Sequence, residues 1–204
     1  MKKIIIFIVF AVIAAVALVL GPKSCKNDVP PTIPDTITFE SVVDSDYNYI
    51  QKTFADSSDE YTHFYEVRIY MSESVDSAAA HKSPIDSITS IFAVGQKVWF
   101  FNHKIDKNTV TTDTCIYDGP FIEDCVMPWP LPIKFDQMMD TITSKNLNAP
   151  NKDIVLRRAL IWHPKDYPDF TVYAGNGNWW FISSEDCSVR TDQVSNKWFK
   201  QYEN

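Results

Sequence analysis

A short motif occurs twice in the chain, and this repetition limits the folds that the chain can adopt. The segment 37–44 (ITFESVVD) recurs as 133–140 (IKFDQMMD), with Ile, Phe and Asp in the same places at an offset of 96 residues. A second match has an offset of 80 residues and aligns Gly95, Trp99, Phe101 and Asp106 with Gly175, Trp179, Phe181 and Asp186. We therefore predict two divergent copies of one unit. The offsets differ by 16, so the polar stretch 72–87 is predicted to be a surface insertion in the first copy.

Both copies show the same order of predicted elements. Apolar residues recur at helical spacing in 37–54 and again in 133–147. Strands and hairpins are predicted from alternation and from turn glycines at 61–71, 88–94 with 97–103, 108–117, 154–162, and 169–174 with 178–183. A helix followed by antiparallel strands buries its apolar stripe by packing on one face of the sheet. The prediction is an α+β fold of two related units, 37–130 and 131–204, the second ending in a helix over 192–202.

The N-terminus predicts export. Two lysines precede an unbroken apolar run, Ile4–Leu20, as in an export signal. Its 17 residues reach the lower limit of about 17–25 for crossing a bilayer. Cys25 follows closely and is the candidate lipid anchor. Three fates stay open: a lipoprotein cut before Cys25, an uncleaved anchor, or a secreted chain. Residues 1–24 are then a signal or anchor segment, and the Pro-rich 25–36 is an extended linker that lifts the folded part off the membrane.

The charge balance limits the class of partner. Beyond residue 24 the chain keeps 16 basic and 26 acidic residues, a net charge of −10, and it has no Lys/Arg run. A surface of this charge repels nucleic acid and anionic lipid headgroups. We expect a tethered protein on the extracytoplasmic side of the cell envelope whose partner is another envelope or secreted protein.

The cysteines predict a disulfide and not a metal site. Cys115 and Cys125 flank the turn-forming Asp118-Gly119-Pro120 in an exported chain, so we predict that they are bonded. The cysteine spacings do not match a zinc site, and the four histidines are scattered. We predict neither a metal nor another cofactor.

Catalytic motifs are not found in the sequence. It contains no Gly-x-Ser-x-Gly elbow and no Gly-rich phosphate loop. Glu123-Asp124 and Glu185-Asp186 are paired acids that we interpret as solvated loop residues. We predict no enzymatic activity. The alternative is an envelope enzyme that acts on glycans through a carboxylate pair, which needs two carboxyl groups held across a cleft.

The tryptophans are the candidate binding residues: Trp99, Trp129, Trp179 and Trp180. Strand alternation sends Trp179 and Trp180 to opposite faces of the sheet. An exposed Trp on a sheet face commonly anchors a protein or a sugar. The other interpretation is that both faces are covered within the chain.

The second unit resembles a known family. Its Pro132-Ile133-Lys134-Phe135-Asp136 opening, a helix, and strands that end in Asn178-Trp179-Trp180-Phe181-Ile182-Ser183 are similar to the PepSY-like domains of bacterial envelope proteins. Related architectures include the tandem-repeat β-lactamase inhibitor proteins. The resemblance covers 131–190 and, more faintly, 36–110, although Ser183 and Cys187 replace the family's Asp and Gly. It implies a non-enzymatic interaction or inhibitor-like module, and it carries over no functional residues.

Overall fold

The structure is a computed structural model that describes residues 24–25, 37–54, 62–119, 121, 125–158 and 167–191. The predicted signal or anchor segment up to residue 23, the linker 26–36 and the C-terminal helix 192–202 lie outside the described residues. Within the described ranges, no helix is long and apolar enough to cross a membrane.

The chain forms helices and strands in an order that matches the predicted α+β class. The helices are α1 (Phe39–Phe54), α2 (Val75–His81) and α3 (Phe135–Ser144). The strands are β1 (Ser24–Cys25), β2 (Thr62–Met71), β3 (Ile85–Val94), β4 (Lys97–Asp106), β5 (Thr109–Asp118), β6 (Asp153–Arg157), β7 (Asp169–Gly175), β8 (Asn178–Ser183) and β9 (Val189–Thr191).

All nine strands join one antiparallel sheet in the order β1-β5-β4-β3-β2-β6-β7-β8-β9. Strands β2 to β5 form one meander and β6 to β9 form another, so the two meanders run outward in opposite directions from the β2–β6 pair. At this junction Val67 lies opposite Leu156, and both side chains are fully buried.

The start of α1 follows from its sequence. The Thr38 hydroxyl accepts a hydrogen bond from the Ser41 N–H at 3.1 Å, and the Ser41 hydroxyl accepts one from the Thr38 N–H at 2.9 Å. These two bonds cap the helix, because they satisfy N–H groups that a helix end leaves open. The buried apolar residues of α1 then recur on one stripe: Phe39, Val42, Val43 and Ile50.

The two long helices begin side by side over the sheet. The rings of Phe39 and Phe135 stack with centroids 5.1 Å apart, and each lies edge-on to Phe170 of β7. Both side chains are buried, as predicted. This aromatic cluster joins the starts of α1 and α3 to the same strand.

The stretch 72–87 is not the surface excursion that the sequence predicted. It contains α2, in which Val75 and Ala78 are fully buried, and its last residues begin β3. The Val75 N–H donates to the Asn151 carbonyl at 2.8 Å. The segment is part of the core because its few apolar residues fall on one helical face.

The predicted equivalence of Trp99 and Trp179 is wrong by one residue. Trp99 lies opposite Phe92 and packs in the core. The residue in the corresponding place is Trp180, which lies opposite the buried Val172. Trp179 points the other way, because a shift of one residue moves a side chain to the other face of a sheet.

The two residues of β1 change the expected position of Cys25. Cys25 pairs with Cys115 in backbone register, at the edge of the sheet beside β5. The predicted separation between Cys25 and the folded region is therefore not present. An edge strand has unpaired N–H and C=O groups, and a passing segment can satisfy them.

The predicted Cys115–Cys125 disulfide is not formed, and Cys125 is a free thiol. Strand β5 continues past Cys115, and the Gly119 N–H then bonds the Gln96 carbonyl at 2.8 Å. Cys125 instead donates its N–H to the carbonyl of Arg158, just beyond β6. The two cysteines are separated because β6 lies four positions from β5 in the sheet.

Candidate functional site

The sheet has two different faces. On the inner face, Tyr47 of α1 contacts Phe64 and Phe92, and the alternate residues of each strand enter the core. The opposite side, which we call the outer face, carries the remaining residues of each strand. In β2, for example, Val67 and Ile69 point inward and are buried, whereas Glu66, Arg68 and Tyr70 point outward.

Three of the four predicted binding aromatics belong to the inner face. Trp99 is buried in the core. Trp129 and Trp180 are half-buried against the core, and both indole N–H groups are satisfied within the chain. Trp129 donates to the Asp44 carboxylate at 2.7 Å and Trp180 to the Asn148 carbonyl at 2.7 Å. All three residues therefore pack against the core, and Trp99 is closed to a partner.

Trp179 does lie on the outer face, where 37% of it is exposed. Its ring meets Tyr173 edge-on with centroids 5.1 Å apart. Tyr70 is 42% exposed on the same face, and Phe181 lies half-buried beneath the guanidinium of Arg190 at 5.3 Å. We call Tyr70, Tyr173, Trp179 and Phe181 the aromatic patch.

Strand register aligns this patch with two arginines. Successive partners across β2, β6, β7, β8 and β9 are Arg68, Val155, Thr171, Phe181 and Arg190. The neighbouring pairs place Tyr70 opposite Asp153 and Tyr173 opposite Trp179. Four strand spacings of about 4.8 Å give the row a length of about 19 Å.

The arginines on this face are held by acids. The Arg68 Nε–H donates to Glu66, whose side chain is only 2% exposed, whereas the Arg68 side chain is 54% exposed. Arg190 likewise bonds Asp169. Arg157 lies opposite both Glu66 and Asp169 in register. The whole chain has only four arginines, and three of them are on this face.

A buried polar chain lies on the inner face, away from the patch. His103 Nε2 contacts the two Asp46 carboxylate oxygens at 3.0 and 2.9 Å, and its Nδ1 lies 2.9 Å from the Thr112 hydroxyl. Burial raises the pKa of Asp46, and the hydrogen bond from His103 opposes that rise. Both side chains of the pair are 0% exposed. The arrangement contains an acid, a base and a hydroxyl, but a substrate cannot reach it, so it serves to hold α1 on β4.

This pair was not predicted, although the sequence carries part of the signal for it. Trp99, Phe101 and His103 lie at every second position of one strand and so share a face. A buried Trp99 therefore predicts that His103 is buried too. A buried His needs a partner, and among the three acids of α1 the structure brings Asp46 to it.

The paired acids supply no evidence for an enzyme. Asp186 accepts the Ser188 N–H at 2.9 Å and shapes the turn between β8 and β9. Glu123 and Asp124 lie outside the described residues. In the described part of the chain, no group of three or more His, Cys, Asp or Glu could hold a metal ion.

The chain was compared with known proteins. No protein-family model matches it, and no curated protein matches it significantly. Among solved structures, it is similar to a crystal structure described as a putative lipoprotein (CD1622) from Clostridium difficile 630. The TM-score is 0.47 and the identity is 11%, over 80% of this chain and 98% of the other. We transfer no function from a similarity this low.

Proposed function

We propose that the chain is a membrane-tethered, extracytoplasmic binding module without catalytic activity, and that it docks a protein partner on the outer face of its sheet. One observation carries this proposal. Tyr70 and Trp179, two of the most exposed large apolar side chains in the described residues, lie on the same face, and the three helices pack on the other.

The composition of the site favours a protein partner. Trp, Tyr and Arg are the residue types that most often carry binding energy in protein interfaces, and the patch combines Trp179, Tyr70 and Tyr173 with Arg68. Charged side chains surround its apolar centre, as in interfaces with an apolar core and a polar rim. The strand scaffold holds these side chains in fixed register, which reduces the entropy lost on binding.

Tethering rests on the N-terminal sequence. The apolar run Ile4–Leu20 and the following Cys25 support a lipoprotein or an uncleaved anchor. β1 is seven positions from β8 in the sheet order, so about 34 Å separates the strand of Cys25 from that of Trp179. This distance leaves room for a partner between the patch and the membrane.

Labelling with a fatty acid tests the tether. We expect the wild type and a Cys187→Ala control to incorporate the label and Cys25→Ala to lose it. A wild type without lipid contradicts the lipoprotein assignment and leaves the uncleaved anchor.

We also propose that the two helix–meander halves are divergent copies. Three observations support this: a long helix followed by a four-strand meander in each half, with α2 as an addition in the first, a sheet order that mirrors about the β2–β6 pair, and a buried Phe at the first position of both α1 and α3. With Trp180 in the place of Trp99, the offset in the hairpins is 81 instead of 80.

Site-specific photo-crosslinking tests the docking surface. A photoreactive residue is placed at Tyr70, at Trp179 or, as a control, at the exposed Lys107 between β4 and β5. In intact membranes, the first two positions should crosslink to the same envelope protein and the control should not. Equal crosslinking from Lys107, or none from the patch, contradicts this surface.

A further inference from the structure

We infer that Arg68 recognises a carboxylate, so that the docked partner presents an Asp or Glu side chain next to an apolar one. This inference rests on the proposed docking function and names the chemistry of the partner.

Arg68 lies beside a buried acid. A register shift in β2 between Phe64 and Glu66 adds one residue, after which Glu66 and Arg68 point to the outer face together. A buried carboxylate needs a charged or hydrogen-bonding partner, and Arg68 provides one through its Nε–H. Glu66 is therefore a positioning residue for the guanidinium.

The terminal nitrogens of Arg68 are the donors offered to a ligand. Within the described residues, its two Nη groups form no hydrogen bond, and the side chain is more than half exposed. A guanidinium held at Nε still offers a planar pair of N–H donors that matches the two oxygens of a carboxylate. Its attachment to Glu66 lowers the entropy lost when a ligand binds.

The charge of the chain favours a single carboxylate over a polyanion as the ligand of Arg68. The chain beyond residue 24 has a net charge of −10, which repels sulfated glycans and nucleic acid. Asp153 is exposed opposite Tyr70, so an acid run would meet repulsion one strand from Arg68. Tyr70 and Val155 flank Arg68 with apolar surface. A peptide with one acid and an apolar neighbour satisfies both conditions.

A library of random peptides displayed on phage tests this inference. The bait is the full-length chain in detergent micelles, with patch variants that keep the wild-type circular dichroism spectrum and melting temperature. Selected peptides should pair Asp or Glu with an apolar residue. Arg68→Lys keeps the charge but loses the planar donor pair, so it should weaken binding roughly ten- to hundredfold. The control Lys107→Gln should leave binding unchanged.

Two further variants separate charge from positioning. Arg68→Gln should remove the salt dependence of peptide binding. Glu66→Gln should keep that salt dependence, because the charge remains, but it should speed dissociation. A Glu66→Gln variant that binds like the wild type contradicts the positioning role.

The outcomes distinguish this inference from the proposed function. If selected peptides lose binding on Tyr70→Ala or Trp179→Ala but not on Arg68→Lys, the carboxylate inference is overturned and the docking surface stands. If no selected peptide depends on any of the three residues, both are overturned. Displacement of the peptides by inorganic sulfate as strongly as by free glutamyl peptides would assign Arg68 to free oxyanions and overturn the inference.

Discussion

Asp46 and His103 form the contact that joins the first helix to the middle of the first meander. Their side chains are fully buried, and the carboxylate meets the imidazole at 2.9 Å. Such a pair adds little stability relative to apolar residues, but removal of one partner leaves the other buried without compensation.

We therefore predict that Asp46→Ala lowers the free energy of unfolding by about 3–5 kcal/mol. Chemical denaturation of the full-length chain in detergent measures this change. The matched control is Asp113→Ala on the exposed side of β5, for which a change within about 0.5 kcal/mol is expected. Similar small losses for both variants would show that the buried pair is not needed to hold α1.

Arg68 and Trp179 show how far single residues of the candidate site can be predicted from sequence. Alternation in 61–71 separates Glu66 and Arg68 from the apolar residues, and alternation in 178–183 separates Trp179 from Trp180. It does not determine which face the helices cover, because that depends on tertiary packing. Tyr70 was missed for this reason, and Trp99 and Trp180 were assigned to binding although they face the helices.

At the scale of elements, α2 depends on a carboxylate. Partial burial raises the pKa of Asp76, but hydrogen bonds from Ser74 and from the backbone N–H groups of Ala149 and Ser77 lower it more, so the net pKa is below its ordinary value. The bond from Ala149, at 3.1 Å, ties α2 to the segment between α3 and β6. A lowered pKa means that the ionised form stabilises the folded chain.

The sign of the effect gives a pH-dependent prediction. The stabilisation by Asp76 is fully present above the ordinary pKa of 3.8 that an unfolded Asp has, and it is lost as pH falls through the lower folded pKa. Asp76→Asn should cost about 1–2 kcal/mol at pH 7, and this cost should shrink toward zero in strong acid. Urea denaturation across pH measures it, with Asp86→Asn as the control. A cost that is independent of pH would contradict the role of the charge.

The main elements were predictable because their patterns are local. The α1 and α3 stripes and the β3–β4 and β7–β8 hairpins all follow from spacing. The register of the second hairpin was not predictable in this way. In the first hairpin Gly95 lies in the turn, whereas in the second Gly175 ends β7 and the turn is formed by Asn176 and Gly177. Alignment of the glycines therefore displaced the tryptophans by one residue. Likewise, α2 has too few apolar residues for its burial to be visible locally.

At the scale of the whole molecule, the β2–β6 junction makes the two halves interdependent. Five register pairs join Glu66–Tyr70 to Asp153–Arg157. The core continues across this junction, because Phe39 of the first half contacts Phe135 and Phe170 of the second. If the halves arose by duplication, neither one retains a closed core of its own.

This continuity predicts one cooperative unfolding transition for the described sheet. Far-ultraviolet circular dichroism and tryptophan fluorescence of the full-length chain should give the same midpoint in urea. Leu156→Ala at the junction should lower the free energy of unfolding by about 2–5 kcal/mol while the two probes still coincide, since its cavity weakens both halves together. A control, Thr171→Ala on the outer face of β7, should change stability far less. Two separate transitions would show that the halves fold independently, and so would a Leu156→Ala variant in which only one probe shifts. The sheet would then be a contact between two autonomous domains.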